Sequence, residues 1–513
     1  TIVTYKQQRA RSLRAPWWQR VWMDLWLFIP AIYGWYTLRE QGSLLVTTAS
    51  SGSVNDPFQN PLLFLVPALL IFSLTLFILR LLPAVMSLIA SLTARLPGVG
   101  ALLAARHLSR STSSYAAPLM LLVLTLSLSA FTASLAQTMD NNLIDQTYYR
   151  TGADLRIVES AESTSSEYTE NESTGAAYYF LPVAEHLQVA GVQAAARVGR
   201  YRAFASISSG RESGTILGID RVDFGSVAFW RSDFAPVSLG SMMNALAGTY
   251  NGVLVPYSFL REQSLTLHDL IRISIDIGGS RMPVDFEIVG VFDMFPTWYP
   301  NDENSGPLFV GNLDYIFQEV GGQFPYNVWL RIDPEIPSQQ IIDGVQDQGL
   351  RVQTWQDSVT FITEELQRPQ RQGLFGLLSV GFIAAALLTV LGFMLYAFFS
   401  FRRRFIELGV LRAVGLSARQ MTSFLGWELV FLMSVGLAAG TGLGIMVSNM
   451  FIPYLQVGTA SSQIPPFVVQ ISWPAVFQIY ILFGVLFIAA LGALVWLLMR
   501  MKIFQAIKLG ETG

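Results

Sequence analysis

The segment FRRRFIELGVLRAVGLSARQM, residues 401–421, is a short basic stretch set between two long apolar ones, and that setting decides the fold class. Residues 373–400 upstream and 423–450 downstream are each long enough for a membrane span, which needs about 20 predominantly apolar residues to cross about 30 Å of hydrocarbon. Working outward, residues 22–38, 62–82, 115–137 and 474–499 bring the number of predicted spans to six. Composition agrees: 52% hydrophobic and 13% charged residues with a mean hydropathy of +0.43 describe a membrane protein. The first stretch is short and carries Asp24 and Pro30, so it reads either as a span or as an interfacial amphipathic helix.

Orientation follows from where Lys and Arg lie, because short basic loops stay cytoplasmic. Residues 1–21, the connector that closes 22–114, the 401–421 segment and the C-terminal tail hold 17 of the 33 basic residues. Among these are Arg80, Arg95, Arg106 and Arg110 in the connector. The intervening stretch 39–61 is nearly uncharged and 451–473 entirely so, which places both outside and both termini in the cytoplasm. The Trp-rich entry at Trp17, Trp18, Trp22 and Trp26 suits the membrane interface, and no cleavable signal peptide is present. The chain begins at Thr1, which points to a missing N-terminal portion.

Residues 138–372 lie between spans 3 (115–137) and 4 (the start of 373–513) and are far too long for a loop, so they form an external domain. This block holds 15 Arg, no Lys and 30 acidic residues, a formal charge of about −15. Such acidity serves solubility or a cation-binding or basic-peptide surface, and it excludes a nucleic-acid partner, which requires a basic face. Short β-branched stretches at 154–158, 204–207, 215–219, 252–255, 271–277 and 284–292 read as strands, and 258–265, 313–319 and 338–348 as helices. The domain is therefore expected to be α+β. Residues 159–175, ESAESTSSEYTENESTG, have too little apolar surface to offset ordering entropy and read as a mobile loop. With no cysteine, the domain must hold together by its core alone.

No catalytic constellation emerges. The chain has no Gly-rich phosphate loop ending in Lys-Ser or Lys-Thr, no HExxH and no GxSxG, and His107, His186 and His268 are widely separated. His107, beside Arg106, reads as a surface residue. Within the basic segment, Glu407 to Val414 reads as a short helix with Leu408, Leu411 and Val414 on one side. Arg404, Glu407 and Arg412 are left for polar contacts, Gly409 allows close backbone approach and Gly415 ends the helix. A topology signal would explain the arginines alone, but not the Glu and the glycines with them. Gly436, Gly440 and Gly444 recur every fourth residue and offer a groove for close helix contact, within one chain or across two. Glu428 lies inside the fifth span, where an ionised group is expensive. The fourth span is 28 residues, about 42 Å, and overshoots the bilayer.

Several of these stretches carry a family resemblance: AARHLSRSTSSYAAPLMLL (104–122), TGADLRIV (151–158), ELGVLRAVGLSARQ (407–420) and AIKLGE (506–511), with ILGIDRVDF (216–224) and FEIVGVFDMFPTWYP (286–300) in support. The chain resembles the FtsX-like permease family, the MacB-type permease subunits of ABC transporters. The resemblance implies a membrane α-helical bundle with one large external α+β domain inserted between the first two helices of a four-span core. It implies that this is the C-terminal half of a ten-span member, with the other half missing from this chain or supplied as a separate polypeptide or second permease copy. The 401–421 segment would contact a cytoplasmic ABC ATPase dimer, which binds ATP and magnesium; the chain itself would hold no cofactor and catalyse nothing. Glu428 would pair with an arginine at the cytoplasmic edge, the alternative being a proton-coupled role. The expected setting is the bacterial inner membrane, with membrane lipid as a partner. The expected function is mechanotransmission for export or extraction of a lipid, lipoprotein, peptide or hydrophobic compound. The alternative is a non-transporting regulatory or sensory complex that activates an external hydrolase or signals antibiotic or peptide presence.

Overall fold

A computed structural model of the chain describes residues 17–41, 61–93, 99–110, 112–160, 162–164, 177–207, 210–277, 280–300, 306–369, 418–455 and 464–499, with scattered positions between 373 and 395. One unit, helical, comprises Thr1–Met139, Gln370–Val457 and Phe467–Gly513; the other, built on a sheet, comprises Asp140–Pro369 and Gly458–Pro466.

The helical unit is built from α1 (Met23–Gln41), α2 (Pro61–Thr93), α3 (Val99–Arg110), α4 (Thr112–Thr151), α5 (Ala418–Phe451) and α6 (Trp473–Met499). Helix α4 supplies residues to both units. Three described segments are long and apolar enough to cross a membrane: Leu65–Leu92, Tyr115–Thr151 and Gln420–Tyr454. Within α6, Trp473–Val485 is apolar but shorter. The expectation of six spans is thus supported at three. The first stretch folds as helix α1 but stays out of that set because Asp24, Arg39 and Glu40 dilute its apolar character. The fourth falls largely outside the described residues.

Arg80, at the end of the predicted 62–82 span, lies well inside a helix. Helix α2 continues past 82 to Thr93, so Arg80 sits within it and must be compensated there. Its Nη1 is 3.2 Å from Asp24 Oδ2, its Nη2 donates to Gln19 O at 2.6 Å, and its guanidinium lies 4.1 Å from the Trp22 ring centre. The connector after α2 is no simple loop but helix α3. Leu108, Tyr115, Leu119, Leu122, Leu126 and Leu432 belong to the core where α3, α4 and α5 meet. Hydroxyls buried in this apolar setting bond back to their own helix: Thr125 Oγ1 donates to Leu121 O and Ser127 Oγ to Val123 O, both at 2.7 Å. Leu65, Leu88, Met446, Phe477 and Ile481 remain exposed on the outer faces, as lipid-facing residues are.

The sheet unit carries strands β1 (Leu155–Glu159), β2 (Glu162–Thr164), β3 (Ala177–Tyr179), β4 (Val192–Ile207), β5 (Gly210–Ile219), β6 (Gly252–Pro256), β7 (Leu270–Ile277), β8 (Ser280–Phe292), β9 (Leu308–Asn312), β10 (Asn327–Ile332) and β11 (Val352–Asp357). Nine of them form one mixed sheet in the order β11-β1-β10-β4-β5-β9-β6-β8-β7. Strand β4, 16 residues long, is the organiser: its first half pairs antiparallel with β10, while Arg202–Ser206 pair with β7 and close part of the sheet on itself. Closure removes two open edges. Alternation then sets the cores. Ile271, Ile273, Ile275 and Ile277 of β7 point inward with Tyr201, Ala203, Val284 and Phe286, while Arg272, Ser274 and Asp276 point out. The opposite face of β4, with Ala196 and Val198, packs with Leu217, Trp329, Phe224 and the helix Leu239–Gly248.

The α+β expectation describes this unit, but the strands are longer than their β-branched kernels. The stretch 204–207 is only the end of β4, and β9, β10 and β11 were not anticipated. The acidic stretch 159–175 also differs at its start. Glu159 is buried at the end of β1 against His186, and Glu162–Thr164 pairs antiparallel with Ala177–Tyr179. Residues 161 and 165–176 lie outside the described residues.

Candidate functional site

The glycine stripe of α5 packs tightly against its neighbour in the helical unit. A β-carbon built on Gly436 would lie 2.2 Å from Leu122 Cδ2, one on Gly440 2.6 Å from Leu126 Cβ, and one on Gly444 2.6 Å from Ala130 Cβ. At Gly440 and Gly444 the backbone of α4 itself is near, with Val123 O at 3.2 Å and Ser127 O at 2.9 Å. Residues four apart share one helix face, so the three glycines form a continuous groove that takes up α4 in the same chain. Ser448 Oγ donates to Gly444 O at 2.8 Å, turning its hydroxyl inward rather than into lipid.

The first turns of α5 rest against α3. A β-carbon on Gly100 would lie 2.8 Å from Ser423 Oγ and 3.3 Å from Phe424 N, so these two backbones also approach closely. Further along, the His107 ring stands edge-on to Phe424 at 6.2 Å, and His107 Nδ1 is 3.9 Å from Glu428 Oε1. The Glu428 side chain is 3% exposed and that of His107 29%, so His107 is not the solvated surface residue its neighbour Arg106 implied. Tyr115 Oη donates to Leu108 O at 2.7 Å and fixes the end of α3 on the start of α4. The sequence reading missed Gly100, Ser423 and Phe424. The signal was there in the amphipathic run of α3, whose Ala104, Ala105 and Leu108 are fully buried.

Arg404, Glu407, Leu408, Gly409, Leu411, Arg412 and Gly415, the residues expected to meet an ATPase, lie outside the described residues. Helix α5 begins directly after them at Ala418. On their other side, the described positions of the fourth predicted span include Thr389, whose Oγ1 is 2.7 Å from Thr125 Oγ1 of α4, both buried. Gly392 lies against Leu121, 3.4 Å from a notional β-carbon. The stretches on either side of the basic segment therefore both pack on α4.

The sheet unit has its own polar centres. Arg231 donates to Asp145 Oδ2 at 2.7 Å and to Pro466 O at 3.1 Å, and binds Asp233 as well. Burial pushes the Asp145 carboxyl up from its ordinary value, with the Arg231 bond pulling the other way. Burial and the neighbouring Asp154 carboxylate push the Tyr148 hydroxyl up to about 12, and burial with Glu159 does the same for Tyr326. Among the described residues no group of three or more His, Asp or Glu side chains could hold a metal ion.

Comparison with known proteins gives a family match for part of the chain. Residues 379–504, which contain both the basic segment and the glycine groove, match the family described as FtsX-like permease C-terminal. That part of the chain is therefore similar to the C-terminal domain of FtsX-like permeases. Thirty chains of known structure resemble it. They include the periplasmic region of MacB from Actinobacillus actinomycetemcomitans (8% identity, 42% of this chain and 95% of that one, TM-score 0.26). A second is the extracellular domain of the noncanonic ABC-type transporter YknZ from Gram-positive bacteria (15% identity, 40% and 100%, TM-score 0.24). A third is a domain of a putative permease from Porphyromonas gingivalis (14% identity, 38% and 80%, TM-score 0.24). No curated protein matches the chain.

Proposed function

We propose that this chain is a permease subunit that relays motion from a separate cytoplasmic ATPase dimer to its own 138–372 domain outside the membrane. The observation that carries the reading is that one family match covers both the basic segment and the glycine groove. Residues 379–504 hold the basic ELGVLRAVGLS segment, and the groove of α5 that follows it grips α4, the helix that contributes to both units. ATP and magnesium belong to the partner, and this chain supplies the contact residues Arg404, Glu407, Leu408, Gly409, Leu411, Arg412 and Gly415. A displacement of that contact moves the start of α5 together with α3, held to it by Gly100, Phe424 and the His107–Glu428 contact. The backbone-close packing of Gly440 and Gly444 passes the displacement to α4, because interdigitated helices shift as bodies and do not deform continuously. The setting is the bacterial inner membrane with both termini inside, and a further permease half or a second copy completes the complex. The cargo is a lipid, lipoprotein, peptide or hydrophobic compound handled at or outside the outer leaflet.

The test is reconstitution with the cognate ATPase in nanodiscs. Glu407→Ala and Arg412→Ala should leave insertion and folding unchanged yet abolish stimulation of ATP hydrolysis by the permease. Full stimulation in both variants would remove the coupling assignment.

A further inference from the structure

The sheet unit is strongly acidic, and its partly buried arginines meet acceptors: Arg197 binds Asp220 and Asp314, Arg231 binds Asp145 and Asp233, and Arg221 donates to Ala247 O. Arg156 is the exception among the described residues. Its Nε is buried with no hydrogen-bond partner, and so is Nε1 of Trp329, its direct cross-strand neighbour between β1 and β10. Trp329 in turn faces Ala196 of β4, and Arg200 lies four residues further along the same face of that strand. Arg200 is solvent-exposed and, among the described residues, bonds only through Nη1, which donates to Thr297 O and Thr297 Oγ1, both at 3.2 Å. The charges feel each other: burial first, and then the Arg200 guanidinium, lower the basicity of Arg156. No described carboxylate lies near enough to either to offset this.

Two like charges on one sheet face that act on each other, with the Nε of Arg156 and Nε1 of Trp329 left without hydrogen-bond partners, are unfavourable in a protein that has 30 acidic residues in this block. An anion relieves both the repulsion and the missing hydrogen bonds. We propose that Arg156 and Arg200 form a binding site for a phosphate-type oxyanion, open to solvent on the Arg200 side and closed by Arg156. A single guanidinium satisfies a carboxylate with its two-pronged fork, whereas two guanidiniums at an angle suit the several oxygens of a phosphate group. The site stands apart from the coupling reading, since it needs neither an ATPase nor the 401–421 segment.

The test uses the full chain purified in detergent, titrated calorimetrically with inorganic phosphate, with dioctanoyl phosphatidylglycerol and with dioctanoylglycerol, which lacks the phosphate. Saturable binding of the phospholipid alone identifies a lipid headgroup as the ligand; binding of inorganic phosphate as well identifies a site for the free oxyanion. In either case Arg200→Gln should weaken binding at least about tenfold, the loss of one or two charge-assisted hydrogen bonds. Arg261→Gln, at an exposed arginine of the helix Tyr257–Glu262, should leave it within about twofold. Arg156→Gln should act like Arg200→Gln; if it fails to fold, the exposed Arg200 position still decides. Absence of saturable binding, equal binding of dioctanoylglycerol, or affinity unchanged in Arg200→Gln overturns the proposal.

Discussion

Gly440 lies so close to helix α4 that a β-carbon on it would stand 3.2 Å from Val123 O and 2.6 Å from Leu126 Cβ. Neither neighbour can swing aside: one is backbone, the other the first atom of its side chain. At Gly436 the nearest atom is instead Leu122 Cδ2, a terminal methyl that a rotamer change can move. The two positions should respond differently. Gly440→Ala and Gly444→Ala are expected to destabilise the detergent-solubilised protein by about 1–3 kcal/mol, the usual range for overpacking, and Gly436→Ala by less. Thermal unfolding of the three variants measures the order, and equal shifts would contradict the backbone-contact account.

The Thr125–Thr389 hydroxyl pair ties the fourth predicted span to α4 at 2.7 Å. Thr125 Oγ1 also bonds Leu121 O, so it keeps a partner when Thr389 is changed. Thr389→Val should therefore cost only about 0.6 kcal/mol, in line with interhelical hydrogen bonds in membranes. A loss of several kcal/mol would show that Thr389 holds more than this contact.

Gly152 connects α4 to β1 with φ at +94°, and a β-carbon there would lie 2.2 Å from Trp329 Cη2. Left-handed backbone costs an L-residue roughly 1–2 kcal/mol, and the rigid indole adds overpacking. Gly152→Ala is expected to lower the stability of the sheet unit by at least about 2 kcal/mol, read by hydrogen exchange on β1 and β10. Exchange rates equal to wild type would refute this.

Burial raises the folded-state value of Asp145 above 3.8, so between these two values the folded chain holds a proton that the unfolded chain has lost. Stability from this group is thus highest at acid pH and falls as pH rises through the raised value. Asp145→Asn should flatten that part of the profile. The check is the melting temperature of both proteins across the acid range; parallel slopes would mean that Arg231 cancels the burial effect.

Much was legible in the order of residues alone. The apolar runs 62–82, 115–137 and 423–450 became helices long enough to span, because a span is set by length and composition without reference to partners. The every-fourth glycine of 436, 440 and 444 was equally plain, but not what it would grip. Strand kernels were visible where β-branched residues alternate, as in β7, and invisible where the strand is polar, as in Val352–Asp357 with its VQTWQD sequence. Arg80 stood at the end of the predicted 62–82 span and was counted with the basic cytoplasmic residues; what its position alone did not show was its partner, Asp24 in α1.

What the chain fixed by itself was class: which segments are apolar, which block is acidic, and that a short basic segment separates two apolar stretches. Those properties are local, carried by each residue's own transfer free energy and charge. Only the folded arrangement decided that α3 holds the start of α5, that His107 meets Glu428, and that Arg156 and Arg200 share a sheet face with no ion-pair partner among the described residues. Such pairings join residues far apart in sequence, and register and helix packing, which no single stretch encodes, bring them together.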